Sequence, residues 1–449
     1  MKQLKKIIIV LTVMVIIGLG FAIGGMVAYD WLWGADYHLR AGEEALERRN
    51  YAQAEAHAAL ALESRPHNPE AHLLAARVAR RAILPVLPGA TEGLGHSLTV
   101  VSASRVGSYE RAQEHLNDYK KLGGIPELFD LEQRLLRAQS GALAEEETDL
   151  QILIAEDSPE TASILEALIK GYLRSYRLPE AGTCLDLWLE NKEDVQALLW
   201  RGWVHERLHH EIEAHKDYLR VLELDPNNME AHRRLGEMLV SFRPKEAVQH
   251  FTFLQQRQPA DADVILNLAR CRRTLGQPEE TRQLVEQLLA YNPRNSPALI
   301  ERGLLALSED QTAQAEGWFR QALALEPYDR VANYQLLLCL ERLGRKADAQ
   351  QVKTKLDKIV NDLQSLYDAT AKVMSEPNHP QWRYEAGAIL LRNGQKEEGR
   401  RWLLSALEMD PRHAPTHAAL AAFYESEGNR DLALRHRQLA SRGGGEAAR

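Results

Sequence analysis

Residues His205-Glu206-Arg207-Leu208-His209 carry the spacing H-E-x-x-H. On an unbroken helix, two imidazoles four residues apart share a face and hold zinc, while the glutamate activates a water for hydrolysis. A third ligand is also required, and the nearby candidates Glu211, Glu213 and His215 fall beyond the pentapeptide without the spacing of such enzymes. The cluster His205, His209, His210 and His215 is otherwise suited only to adventitious metal binding. Other chemistry is sparse. Cys184, Cys271 and Cys339 are too far apart for a C-x-x-C pair or a disulfide framework and read as small buried residues. There is no glycine-rich phosphate loop and no G-x-S-x-G elbow, and His413 and His417 merely flank Pro415 at a helix entry. The reading is of a non-enzyme with no catalytic residue, no metal and no cofactor.

The elements that carry these residues decide the matter. The chain has 449 residues, 45% hydrophobic and 26% charged, which is the composition of a folded protein. A net charge of −8 argues against nucleic-acid binding, which needs clustered Lys and Arg. Met1-Lys-Gln-Leu-Lys-Lys is followed by an uncharged run from Ile7 to Tyr29, long enough to cross a bilayer. Lys2, Lys5 and Lys6 precede the run and Asp30 and Asp36 follow it, so residues 1–6 are expected in the cytoplasm and the rest beyond the membrane, on the periplasmic side. Trp31 and Trp33 suit the far interface. The alternative is a secretory signal cleaved near Ala22-Ile23-Gly24, which would release a soluble secreted or periplasmic protein.

Beyond the span, Pro226, Pro259, Pro293 and Pro327 recur at intervals of 33, 34 and 34, and Pro377 and Pro411 are again 34 apart. Helix-length patterns end in phrases such as "LELDP" and "LEMDP". From Val195 the small position is Gly202, followed by Ala214, Tyr218 and Pro226; from Ser296 it is Gly303, followed by Ala315, Phe319 and Pro327. From Pro380 the series is Gly387, Leu403, Ala406 and Pro411, and from Ala35 it is Gly42, Ala54, Ala61 and Pro66. This pattern resembles the tetratricopeptide repeat, in its bacterial membrane-anchored multi-repeat form, over most of residues 35–440. The resemblance implies an all-α fold, a right-handed α-solenoid of helix-turn-helix units behind one N-terminal transmembrane helix. Stacking is required because one helical pair cannot bury its own apolar face.

Departures from the period divide the chain. Residues 35–194 form an N-terminal array with an intra-repeat loop expected at 83–107, and 195–346 a regular array. Residues 347–376 read as an extended helix in which Val352, Leu356, Ile359, Leu363, Leu366, Thr370 and Val373 follow a heptad seam. Residues 377–440 form a C-terminal pair, and 441–449, "SRGGGEAAR", a flexible tail. Gly20-x-x-x-Gly24 and the 352–373 helix offer two routes to a homodimer.

The repeat register puts His209 in the slot that Gly276, Gly344 and Gly394 fill elsewhere, at the turn between two helices, so the zinc motif is expected to be broken between its histidines. The family resemblance implies a concave groove lined by the first helix of each repeat. On this chain the groove positions are Trp200, Trp203, Arg207, Arg233, Arg234, Asn267, Arg270, Arg273, Tyr334 and Tyr384. Trp200 and Trp203, with Trp188, have packing between repeats as the competing reading, and Arg201 and Arg302 are expected to reach outward. The function expected is a membrane-tethered scaffold that binds proteins or extended peptides, in envelope assembly. A zinc hydrolase built on His205 and Glu206 is the reading from another class.

Overall fold

The computed structural model describes residues 35–83 and 97–446. Twenty-two helices and no strand occur among them. In chain order they are α1 (Ala35–Glu47), α2 (Tyr51–Ser64), α3 (Pro69–Arg81), α4 (Ser97–Lys121), α5 (Pro126–Ser140), α6 (Leu143–Ala155), α7 (Thr161–Arg174) and α8 (Leu178–Asn191). Next come α9 (Val195–Arg207), α10 (Glu211–Leu224), α11 (Met229–Leu239), α12 (Pro244–Arg257), α13 (Ala262–Thr274), α14 (Pro278–Tyr291), α15 (Ser296–Ser308) and α16 (Thr312–Leu325). The series ends with α17 (Arg330–Arg342), α18 (Lys346–Ser375), α19 (Pro380–Arg392), α20 (Lys396–Met409), α21 (Ala414–Ser426) and α22 (Arg430–Glu446).

Local chemistry sets where the helices start and stop. Asp194, Asn228, Asp261, Asn295 and Asp329 each accept a backbone N–H in the first turn of the helix that follows, satisfying donors that the helix itself cannot. The turn after a first helix passes through a left-handed residue: His209 and Asp310 both have φ of 59°, and Gly276 has φ of 72°. Within a pair, Gly303 on α15 lets the Phe319 ring of α16 press against backbone, since a Cβ there would lie 2.6 Å from the ring. Gly202 does the same for Tyr218. First helices of successive repeats also touch side by side, α11 with α13, α13 with α15 and α15 with α17. These helical pairs therefore stack as a solenoid.

The described residues form two compact units, one ending at Gly171 and the other beginning at Tyr172. The first packs Leu46, Ala54 and Leu74 in one cluster and Leu116, Tyr119 and Leu136 in another. It also buries charge. Glu132 accepts from Arg77 and Arg80, and Glu166 accepts from Arg81 and is ion-paired with Lys170 at 2.8 Å. Burial opposes ionisation of Glu166, yet the surrounding cations hold its carboxyl well below the usual range, while burial pulls Lys170 down to about 8. The second unit buries Leu198, Tyr218 and Leu235 near its start and Leu299, Phe319, Leu336 and Leu340 further on.

Several expectations need correction. The run 7–29 and residues 84–96 of the expected loop lie outside the described residues, but from Ser97 the chain is already helical. No proline follows Pro88 in that stretch, so nothing stops α4 from extending toward its N-terminus. Likewise α22 runs to Glu446, into the expected tail, because a formed helix extends through weak helix formers more readily than it starts. Cys271 and Cys339 are buried, and Cys184 only partly so. Along α18, Leu356, Ile359, Thr370 and Val373 are buried, but Leu363 is exposed together with Val360 and Tyr367. Among the described residues no helix is long and apolar enough to cross a membrane.

Candidate functional site

The first helices α9, α11, α13, α15, α17 and α19 carry every position expected to line a groove. Their charges are tied from one repeat to the next. Arg234 on α11, buried, donates to Glu230 at 2.8 Å and lies 3.6 Å from Glu206 of α9 and 3.6 Å from Glu237. Its neighbour Arg233 reaches forward to Asp261 at 2.7 Å. On α13, Arg270 and Arg273 both donate to Glu301 of α15, at 3.3 and 2.7 Å, and Arg270 also reaches the buried Asn267 at 3.2 Å. Glu301 itself is buried. An open cleft of about 570 Å³ adjoins Arg273 at the turn edge, walled by Pro278, Arg282 and Glu309.

Arg234 is thus one guanidinium among three glutamates. Burial, together with the charges of Glu206 and Glu230, pushes Glu237 up to about 7 against the pull of Arg234 and Arg233. Burial likewise raises Glu206. Sequence reasoning placed aromatic, cationic and one amide side chain in the groove, considered Glu206 only as the base of a zinc site, and passed over Glu237 and Glu301. The available signal was an acid lying 28 to 31 residues from an arginine, one repeat away, as Glu301 does from Arg273 and Arg270.

Trp200 and Trp203 are not on the surface. They are 2% and 1% exposed, so the packing reading describes them. Trp203 meets the ring of Tyr176 edge-on at 6.0 Å, and Tyr176 meets Trp402 of α20 edge-on at 4.9 Å. The Tyr176 hydroxyl donates to Glu398 at 2.8 Å, and Arg207 donates to the same carboxylate at 3.2 Å. Arg383 of α19, fully buried, reaches the carbonyls of Pro377 at 2.9 Å and Tyr176 at 3.4 Å and lies 3.4 Å from Glu180. The start of the second unit is therefore latched to a point roughly 200 residues further along the chain. Burial and the Glu398 charge push the Tyr176 hydroxyl well above its ordinary value, so it stays a donor. Of the remaining expected positions, Tyr334 is 48% exposed, and Tyr384 is partly buried against His413.

The H-E-x-x-H residues do not converge. Helix α9 ends at Arg207, and His209 lies beyond it in the left-handed turn. His205 sits near Asp217 and His210, Glu206 faces Arg234, and the His209 ring lies 5.6 Å from Tyr367 of α18. Among the described residues no group of three or more His, Cys, Asp or Glu side chains is arranged to hold a metal ion. Arg201 reaches outward and donates to Asp217 and to the exposed Asp186, and Arg302 donates to Glu286 over the Trp318 ring.

Residues 238–300 match the family model described as tetratricopeptide repeat. The chain is 24% identical over 186 residues to the human (Homo sapiens) protein O-mannosyl-transferase TMTC3, covering 40% of this chain and 20% of that one. It is 27% identical over 139 residues to the mouse (Mus musculus) FK506-binding protein-like, covering 29% of this chain and 40% of that one. It thus spans well under two thirds of either relative. Among solved structures, PilW, a type IV pilus biogenesis factor, aligns over 45% of this chain and 100% of its own, with 18% identity and a TM-score of 0.38. The helical pairs and the glycine-against-ring packing agree with the matched segment: the chain contains tetratricopeptide repeats.

Proposed function

We propose that this chain is a membrane-tethered scaffold that holds protein partners along the first helices of its second unit, in assembly of the cell envelope. The observation that carries the reading is the strip itself. Successive first helices lie side by side, and Arg233, Arg234, Arg270 and Arg273 are fixed by carboxylates of their own or adjacent repeats before any partner arrives. Preorganised polar groups cost little ordering when a partner binds. Tyr334, exposed on the same series of helices, supplies the kind of aromatic anchor that dominates interface energies. The apolar run from Ile7 to Tyr29, with lysines before it and aspartates after it, supports tethering with the repeats on the periplasmic side.

The test is affinity capture of cross-linked partners by the full-length chain, compared with Tyr334→Ala and Tyr384→Ala. These variants are expected to keep the parental melting temperature within a few degrees and to lose captured partners about tenfold. An unchanged partner set in a folded variant rejects the strip. Extraction of membranes at alkaline pH addresses the tether separately: the parent stays with the membrane and a deletion of residues 7–29 does not.

A further inference from the structure

Four repeats contain a pair of histidines whose Nδ1 atoms face each other: His38 with His57 at 3.0 Å, His72 with His115 at 3.2 Å, His232 with His250 at 2.8 Å and His417 with His436 at 2.9 Å. In each pair one ring stands on the first helix, four residues before the small position, and the other on the second helix. Ring centroids are 5.2, 5.4, 5.0 and 5.1 Å apart, so the rings meet nearly head-on. That geometry fits a hydrogen between two nitrogens. A metal ion with bonds of about 2.0 Å would need the nitrogens farther apart or the rings tilted toward each other.

In three pairs the hydrogen can be placed. Nε2 of His72, His232 and His417 lies 3.0, 3.1 and 3.0 Å from the carbonyl oxygens of Pro66, Pro226 and Pro411. A carbonyl only accepts, so Nε2 carries the hydrogen and, in the neutral ring, Nδ1 is a bare acceptor. Asn333 and Arg383 donate to the same carbonyl in their repeats, Pro327 and Pro377, so a donor at this position is a general need of the fold. The partner Nδ1, on His115, His250 or His436, must therefore donate.

Protons then add in an ordered way. The first goes to the partner's Nε2 and leaves an imidazolium donating to a neutral imidazole, a stronger bond than before. A second proton has only the Nδ1 of the carbonyl-bound ring to occupy. It places N–H against N–H and two like charges about 3 Å apart, between the two helices of one repeat.

We infer that these pairs are acid-sensitive clips: each holds its two helices together with no charge or one, and a second proton opens it, so that several repeats loosen together in mildly acidic solution. Around His232 and His250, Arg257 from α12 and His215 from α10 work against protonation, while Asp225 from the turn and Glu246 from α12 work in its favour. His72 and His115 are faced by Asp118, Glu114 and Arg111 of α4, and His417 and His436 by Arg435 of α22 and His413. Burial first, and repulsion from a protonated partner ring second, hold His115, His250 and His436 below the ordinary histidine value, so the doubly charged pair is the disfavoured state. A histidine so depressed contributes stability that is whole above about pH 6.5 and is lost as pH falls below it.

The experiment compares the full-length chain in detergent with the combined variant His57→Gln, His115→Gln, His250→Gln and His436→Gln, whose amide can donate to the facing nitrogen but takes up no proton. Between pH 7 and pH 5 the parental melting temperature is expected to fall by about 5 °C or more beyond the fall in the variant. Equal falls in the two proteins overturn the inference. Should the variant not fold, nitrogen-detected histidine titration of the parent decides. Two steps per pair, the second at least about one pH unit below the first, support the clip, and independent titration of both rings near 6.5 overturns it.

Discussion

At the scale of single residues, the strip's most unusual group is Glu237. Its carboxyl, raised to about 7 by burial beside Glu206 and Glu230, holds a proton more tightly in the folded chain than in the unfolded one. The folded state therefore binds more protons between about pH 4.5 and pH 7, so this residue's contribution to stability declines as pH rises through that window and is gone above it. Glu237→Gln should remove the decline. In denaturant melts the stability of the variant relative to the parent is expected to be greater at pH 8 than at pH 5, and an equal gap at the two pH values would mean that Glu237 ionises normally.

At the scale of the element, a carboxylate from α15 anchors two arginines from α13, and the buried partner is the vulnerable one. Replacing both Arg270 and Arg273 with Ala leaves Glu301 buried and unpaired, which should cost about 3–5 kcal/mol. Adding Glu301→Gln should recover most of that loss in a urea melt, an outcome that separates an uncompensated charge from lost packing. Much at this scale is legible in sequence. The proline interval, the glycine opposite an aromatic and the left-handed turn slot of His209 follow from the repeat itself, because each depends on residues within about 34 positions. The histidine pairs are less visible. Their spacing of 18 or 19 residues becomes 43 where extra chain intervenes between His72 and His115.

At the scale of the second unit, the latch between Tyr176, Arg207 and Glu398 joins stretches about 200 residues apart, and no local pattern announces it. This is why Trp203, a surface position in the periodic reading, is enclosed. Glu398→Ala removes the acceptor for both donors and is expected to cost about 1–3 kcal/mol. Hydrogen exchange should quicken at α8–α9 and α19–α20 together while α13–α15 keep their protection; quickening confined to α20 would show that the two stretches are not coupled. An open stack of repeats contacts only its neighbours, and it can come apart gradually from an end. A stack fastened across its own length offers no such starting point between its fastened repeats. That stretch should melt in a single step, with only α21 and α22, beyond the fastening, left to peel away first.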